Sequence, residues 1–142
     1  PPRLPNEPIM TLKLWNATII YGLCITASVL GITLYSNYVL KLPSNEINNL
    51  AFFTLLFAQL LNVFNLPNRH LSFFNNAVTT NKWIWVAIIF SVLLTSIAYF
   101  VPSISQALSI TPLSFNKLIT IILFGFGSLL LAQFIKRIGL TV

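Results

Sequence analysis

The sequence predicts an all-α membrane protein of four antiparallel transmembrane helices with both termini cytoplasmic, and three observations carry that expectation. The chain is 56% hydrophobic and only 7% charged, where ordinary soluble domains carry about 25% charged residues. Residues 14–40, 47–68, 83–116 and 118–135 contain no Asp, Glu, Lys or Arg, and each interval can hold a spanning helix of about 20 apolar residues. The basic residues are also unevenly placed. With an even number of spans, Arg3, Lys13, Arg69, Lys82, Lys136 and Arg137 fall on one side and only Lys41 and Lys117 on the other. By the positive-inside rule the richer side is cytoplasmic. The net charge of +6 then reports topology and gives no ground for nucleic-acid binding.

Taken in order, PPRLPNEPIMTLK is broken by Pro2, Pro5 and Pro8 and reads as an extended link into the membrane. The first span is expected near 14–36, with Trp15 at one headgroup level and Tyr35 and Tyr38 at the other. Within it Gly22 with Thr26, and Ala27 with Gly31, are small pairs that permit close helix contact. Pro43, Ser44 and Asn45 supply a turn. Glu46 serves there as an interfacial or capping residue.

The second span is expected near 48–66. After it, Leu71, Phe73 and Phe74 beside Arg69 and His70 suggest a short interfacial elbow or a docking surface for a cytoplasmic partner. The third span, near 83–101, lies between Trp83 and Trp85 at one end and Tyr99 at the other. Its Ser91, Thr95 and Ser96 are expected to bond back to their own helix. The interval up to residue 116 is too short for another crossing, and Pro102, Ser103, Ser105, Gln106 and Ser109 mark its second half as a loop. Thr111 or Ser114 starts the last span, near 118–135, with Pro112 close to its first turn. That span runs through GFGS at 125–128, ends with Gln133 and is fixed by Lys136 and Arg137.

The second span carries the chain's most informative polar residues. Gln59, Asn62 and Asn65 lie three apart, so at about 100° per residue each is about 60° round from the last. One polar arc results on an otherwise apolar rod. Lipid offers such groups no partner, so the arc faces other helices or a hydrated cavity. Two readings stay open: amides bonding neighbouring helices, or amides lining an ion or substrate path.

Enzyme chemistry has little to work with here. The chain has no Asp, and its two Glu residues lie at span margins. Cys24 and His70 are each alone, which leaves no disulfide framework and no metal-ligand set. No catalytic residue and no cofactor site is expected within the chain.

Several segments resemble the C-terminal transmembrane portion of cation-transporting P-type ATPases of the calcium-pump-like branch. PPRLPNEPIM is similar to the link after their sixth helix, and AFFTLLFAQLLNVFN is similar to their eighth. RHLSFF at 69–74, NKW at 81–83, YFVP at 99–102 and TPLS at 111–114 continue the likeness in order. It covers essentially the whole chain, 1–142, as a single C-terminal domain whose spans would be helices seven to ten. The resemblance implies an ATP- and magnesium-dependent pump, with calcium the expected cation. The phosphorylated aspartate would lie in cytoplasmic domains outside this chain, and the remaining helices, those domains and the lipid bilayer would be its partners.

The same resemblance implies that Gln59 and Asn62 are the cation-ligand candidates. Gln59 stands where sarcoplasmic-type calcium pumps carry a site-forming glutamate and sodium/potassium pumps a glutamine. Asn62 stands where calcium pumps carry asparagine. Amide oxygens are hard ligands but bring no charge, so an uncharged Gln59 points toward a single-ion pump whose carboxylates come from elsewhere. Gln133 stands where many relatives have an acid.

Two rival classes remain, a free-standing four-span scaffold or accessory subunit and a small facilitative carrier. The carrier lacks paired polar elements in two matching halves. The chain begins at Pro1, which suggests a piece of something longer. The gene is expected to encode six further helices and a phosphorylation domain upstream of Pro1, and sequencing it checks this directly. A start codon close to Pro1 would favour the scaffold.

Overall fold

A computed structural model describes residues 11–67 and 74–139, and these are helices joined by short turns. Residues 1–10 of the first segment and the proposed elbow around Arg69, His70, Leu71 and Phe73 lie outside the described residues, while Leu12 and Lys13, expected in the extended link, already belong to the first helix because Thr11 caps it. Four helices are long and apolar enough to cross a membrane. They are α1 (Leu12–Tyr38), α2 (Ser44–Asn62, continued by a 3-10 turn over Val63–Asn65), α3 (Lys82–Phe100) and α5 (Phe115–Arg137); the six-residue α4 (Pro102–Ala107) lies between the last two.

The helix ends follow local chemistry. Thr11 caps α1 by accepting from the Leu14 N–H at 3.3 Å. Helix α2 begins at Ser44, four residues ahead of the expected 48, because Pro43 takes the flanking position and the Ser-Asn-Glu run forms a first turn. Its regular part stops at Asn62. Pro67 has no N–H to return to the Val63 carbonyl, and Leu66 bonds that carbonyl instead, in a tighter turn at 3.3 Å. Asn81 caps α3 through the Trp83 N–H at 3.0 Å.

The stretch expected as a loop after residue 101 is in part helical. Pro102 sits in the first turn of α4, where its fixed φ suits a helix start and its missing N–H costs nothing. Ser109, at φ 53°, ends the turn, and Ile110 N–H reaches the Ser105 carbonyl at 2.8 Å. Ser114 flanks the start of α5. Gly139, at φ 85°, closes its far end, a conformation that favours glycine.

Helices α1, α2 and α5 pack against one another, and α3 stands to one side with no buried residue. One core cluster joins Ala17, Tyr21 and Cys24 to Ala132, and a second joins Ile32 to Leu50, Phe53 and Ile121. Two glycines set how closely the helices approach. A Cβ on Gly31 would lie 2.8 Å from the Phe124 ring, and one on Gly125 would collide with the Phe57 ring. Ser28 Oγ also donates to the Phe124 carbonyl across the same contact. Of the two small pairs in α1, then, Gly31 sits at a crossing, whereas exposed Thr26 bonds only its own helix at Gly22.

At the end of the bundle that holds Glu46, Asn49 fastens the α4–α5 connection to α2. Its amide donates to the Ser109 carbonyl at 3.0 Å and accepts from the Thr111 N–H at 3.2 Å. Glu46 pairs with Lys117 at 2.5 Å, so the expected capping acid also ties α2 to α5. Helix α3 is held near its ends. Tyr99 Oη accepts from the Leu113 N–H at 3.0 Å, and Trp85 meets Phe64 ring to ring at 5.7 Å. Ser91, Thr95 and Ser96 bond the carbonyls four residues back, at 2.9, 2.9 and 2.8 Å.

Gly125→Leu is expected to destabilise the domain by about 1–3 kcal/mol through overpacking. Gly127→Ala, whose added carbon meets open space, should stay within about 0.5 kcal/mol of the parent. Thermal unfolding of the two purified variants in one detergent checks both.

Candidate functional site

The polar arc of α2 divides into two parts with different surroundings. Gln59 is exposed, on the face of α2 that also exposes Phe52 and Leu55. Asn62 is half-buried, and Asn65 is buried at 2% exposure. The period of a regular helix places Asn65 about 60° beyond Asn62. The 3-10 turn over Val63–Asn65 alters that rotation, because side chains three apart eclipse in the tighter helix. Asn65 Nδ2 accordingly donates to Asn62 Oδ1 at 3.0 Å.

Three further side chains close on Asn65. From α5, Gln133 Nε2 donates to Asn65 Oδ1 at 2.8 Å and to the Phe64 carbonyl at 3.0 Å. Also from α5, Lys136 Nζ donates to the Asn65 carbonyl at 3.0 Å. From α1, Tyr21 Oη donates to that same carbonyl at 3.3 Å. The cause is the early end of α2. Past Asn62 the Phe64 and Asn65 carbonyls accept from these side chains, and an unmatched carbonyl in lipid costs several kcal/mol.

Lys136 is only 3% exposed. Among the described residues the sole acid is Glu46, which is paired with Lys117. The buried ammonium is therefore held by a carbonyl dipole and by its place in the last turn of α5, where the helix end is electronegative.

Sequence reasoning marks Gln59, Asn62, Asn65 and Gln133, and the structure brings the last three together while leaving Gln59 on the outer face. It misses Tyr21, one aromatic among apolar neighbours in the first span, and it assigns Lys136 to membrane anchoring. The one available signal for Lys136 is its spacing. It lies three residues after Gln133, on the same helical face. Chemically the cluster offers amide and carbonyl oxygens without a carboxylate. Those oxygens already accept from Gln133, Asn65, Lys136 and Tyr21, and the only charge in the cluster is the Lys136 ammonium.

Helices able to span a bilayer, with a hydrogen-bonded polar end inside the packing, define an integral membrane protein. Residues 1–138 match the family model described as cation transporting ATPase, C-terminus, and the chain belongs to that family. No curated protein and no solved structure matches it.

Asn65→Leu is expected to cost about 1–2 kcal/mol, since it removes the acceptor of Gln133 and the partner of Asn62 together. Gln59→Leu, on the exposed face, should leave stability within about 0.5 kcal/mol. Thermal unfolding of the two variants compares them.

Proposed function

We propose that the chain is the C-terminal membrane domain, residues 1–142, of an ATP-driven cation pump with calcium as cargo, and that its four spans are helices seven to ten of that pump. The family match over residues 1–138 supports the cation-ATPase part of this reading, and the ordered resemblance from AFFTLLFAQLLNVFN to TPLS supports calcium and the helix numbering. The spans run antiparallel with both termini cytoplasmic; the crowding of basic residues on one side supports this. Phosphorylation, ATP and magnesium belong to cytoplasmic domains of the parent pump, and this chain is not catalytic alone. Its partners are those domains, the remaining helices and the lipid.

Within the pump this domain scaffolds the ion path and lends amide oxygens from Gln59 and Asn62. The outward placement of Gln59 supports that role. An uncharged polar side chain on the uncovered face of a spanning helix is costly against acyl chains and inexpensive against a hydrated path. Asn62 is half-buried beside it and keeps one lone pair of Oδ1 outside its bond to Asn65. The missing negative charge must come from helices outside this chain.

In the intact pump, Gln59→Leu is expected to raise the calcium concentration for half-maximal phosphorylation roughly three- to tenfold, the scale of one lost polar contact in a membrane. Expression should be unchanged. Phosphorylation titrated with calcium measures it, and cation dependence unchanged from the parent in both Gln59→Leu and Asn62→Leu would reduce the arc to packing.

A further inference from the structure

The three carboxamides at the end of α2 form a directed string that starts on another helix. Gln133 has two N–H bonds on its amide nitrogen, and they serve two acceptors, Asn65 Oδ1 at 2.8 Å and the Phe64 carbonyl at 3.0 Å. Asn65 is too buried to exchange a partner for water. With its oxygen filled by Gln133, its amide nitrogen must face Asn62, and it donates to Asn62 Oδ1 at 3.0 Å. That bond turns the oxygen of Asn62 toward Asn65. One lone pair of Oδ1 and both N–H bonds of Nδ2 lie outside the string. The backbone beneath is held independently, by Lys136 and Tyr21 on the Asn65 carbonyl at 3.0 and 3.3 Å.

We propose that Gln133 is a positioning residue for Asn62, acting through Asn65: it sets which end of the Asn62 carboxamide is turned inward and which is offered to the cation path. This rests on the reading that Asn62 borders that path. The string has a sense because each amide passes on the polarity it receives. An ionised carboxylate at position 133 accepts and cannot donate. Asn65 would then have to present its nitrogen to residue 133 and its oxygen to Asn62, and Asn62 would turn over in its turn. An apolar side chain at 133 leaves Asn65 free to adopt either sense. The identity of residue 133, on α5, is thus transmitted to a side chain it does not touch.

The test is a double-mutant cycle in the ATPase that carries this chain, reading phosphorylation against calcium concentration. Gln133→Leu is expected to move the half-saturating calcium concentration about threefold while keeping the maximal phosphorylation level. Asn62→Leu should move it as well, and the double variant should match Asn62→Leu alone. Asn65→Leu cuts the same string from α2 and should give the same shift, which covers the case in which Gln133→Leu fails to reach the membrane. Gln133→Glu should also shift the half-saturating concentration, and lose that shift when Asn62 is Leu. Additive shifts for Gln133→Leu and Asn62→Leu overturn the positioning role and leave the proposed site standing. A loss confined to the maximal level likewise overturns it. If Asn62→Leu and Gln59→Leu are both without effect, or the unsubstituted pump shows no calcium-dependent phosphorylation, the site and the positioning role fall together.

Discussion

The arrangement depends on one constraint: α2 stops being a regular helix at Asn62, and the backbone beyond it must still be satisfied where water is scarce. Pro67 takes away the N–H that Val63 would otherwise receive. The turn tightens, and the Phe64 and Asn65 carbonyls accept from side chains of other helices. Gln133, Lys136 and Tyr21, from two helices, supply three donor contacts to those carbonyls, and Gln133 gives a fourth to the Asn65 side chain. In water such bonds would contribute little. In lipid the alternative is an orphaned carbonyl, so they decide how α1, α2 and α5 meet at that end.

The opposite end uses different chemistry. Asn49 and the Glu46–Lys117 pair hold the α4–α5 connection against α2. The pair is partly exposed, at 19% for Lys117 and 26% for Glu46, so it adds modestly to stability. Asn49 is buried, and its two bonds to the backbone of the connection specify that path more firmly. Between the two ends the contact is close, set by Gly31 against Phe124 and Gly125 against Phe57, and mostly apolar apart from the Ser28 bond to the Phe124 carbonyl. Close backbone approach of this kind supplies the dispersion contact that replaces the hydrophobic effect inside a membrane.

Much of the architecture was legible because charge is so sparse that each Lys or Glu acts as a boundary. The spans were found within a few residues, and the errors have local causes. Ser44 and Asn45 read as turn residues and instead open α2. Pro102 reads as a breaker and instead starts α4. The polar arc was also legible, but a helical period locates a face on a rod without naming what covers it. The same period misplaced Asn65, because a 3-10 turn is invisible to it. Lys136 read as an anchor since lysine at a span end usually reaches for headgroups. Nothing in the residue itself tells that an acceptor waits inside. Tyr21 gave no signal at all, being one more aromatic among apolar neighbours.

The sequence separation of the Asn65 contacts has a consequence for biogenesis. The donors from α5 lie 68 and 71 residues further along the chain. When α2 first reaches the bilayer during synthesis, those two donors do not yet exist, and its carbonyls must be wetted or borrowed. Helix α3 is able to span and has no buried residue, so it can settle in lipid by itself in the interval. The bundle of α1, α2 and α5 is latched only when α5 arrives, so the latest of these three helices completes the packing of the earlier two.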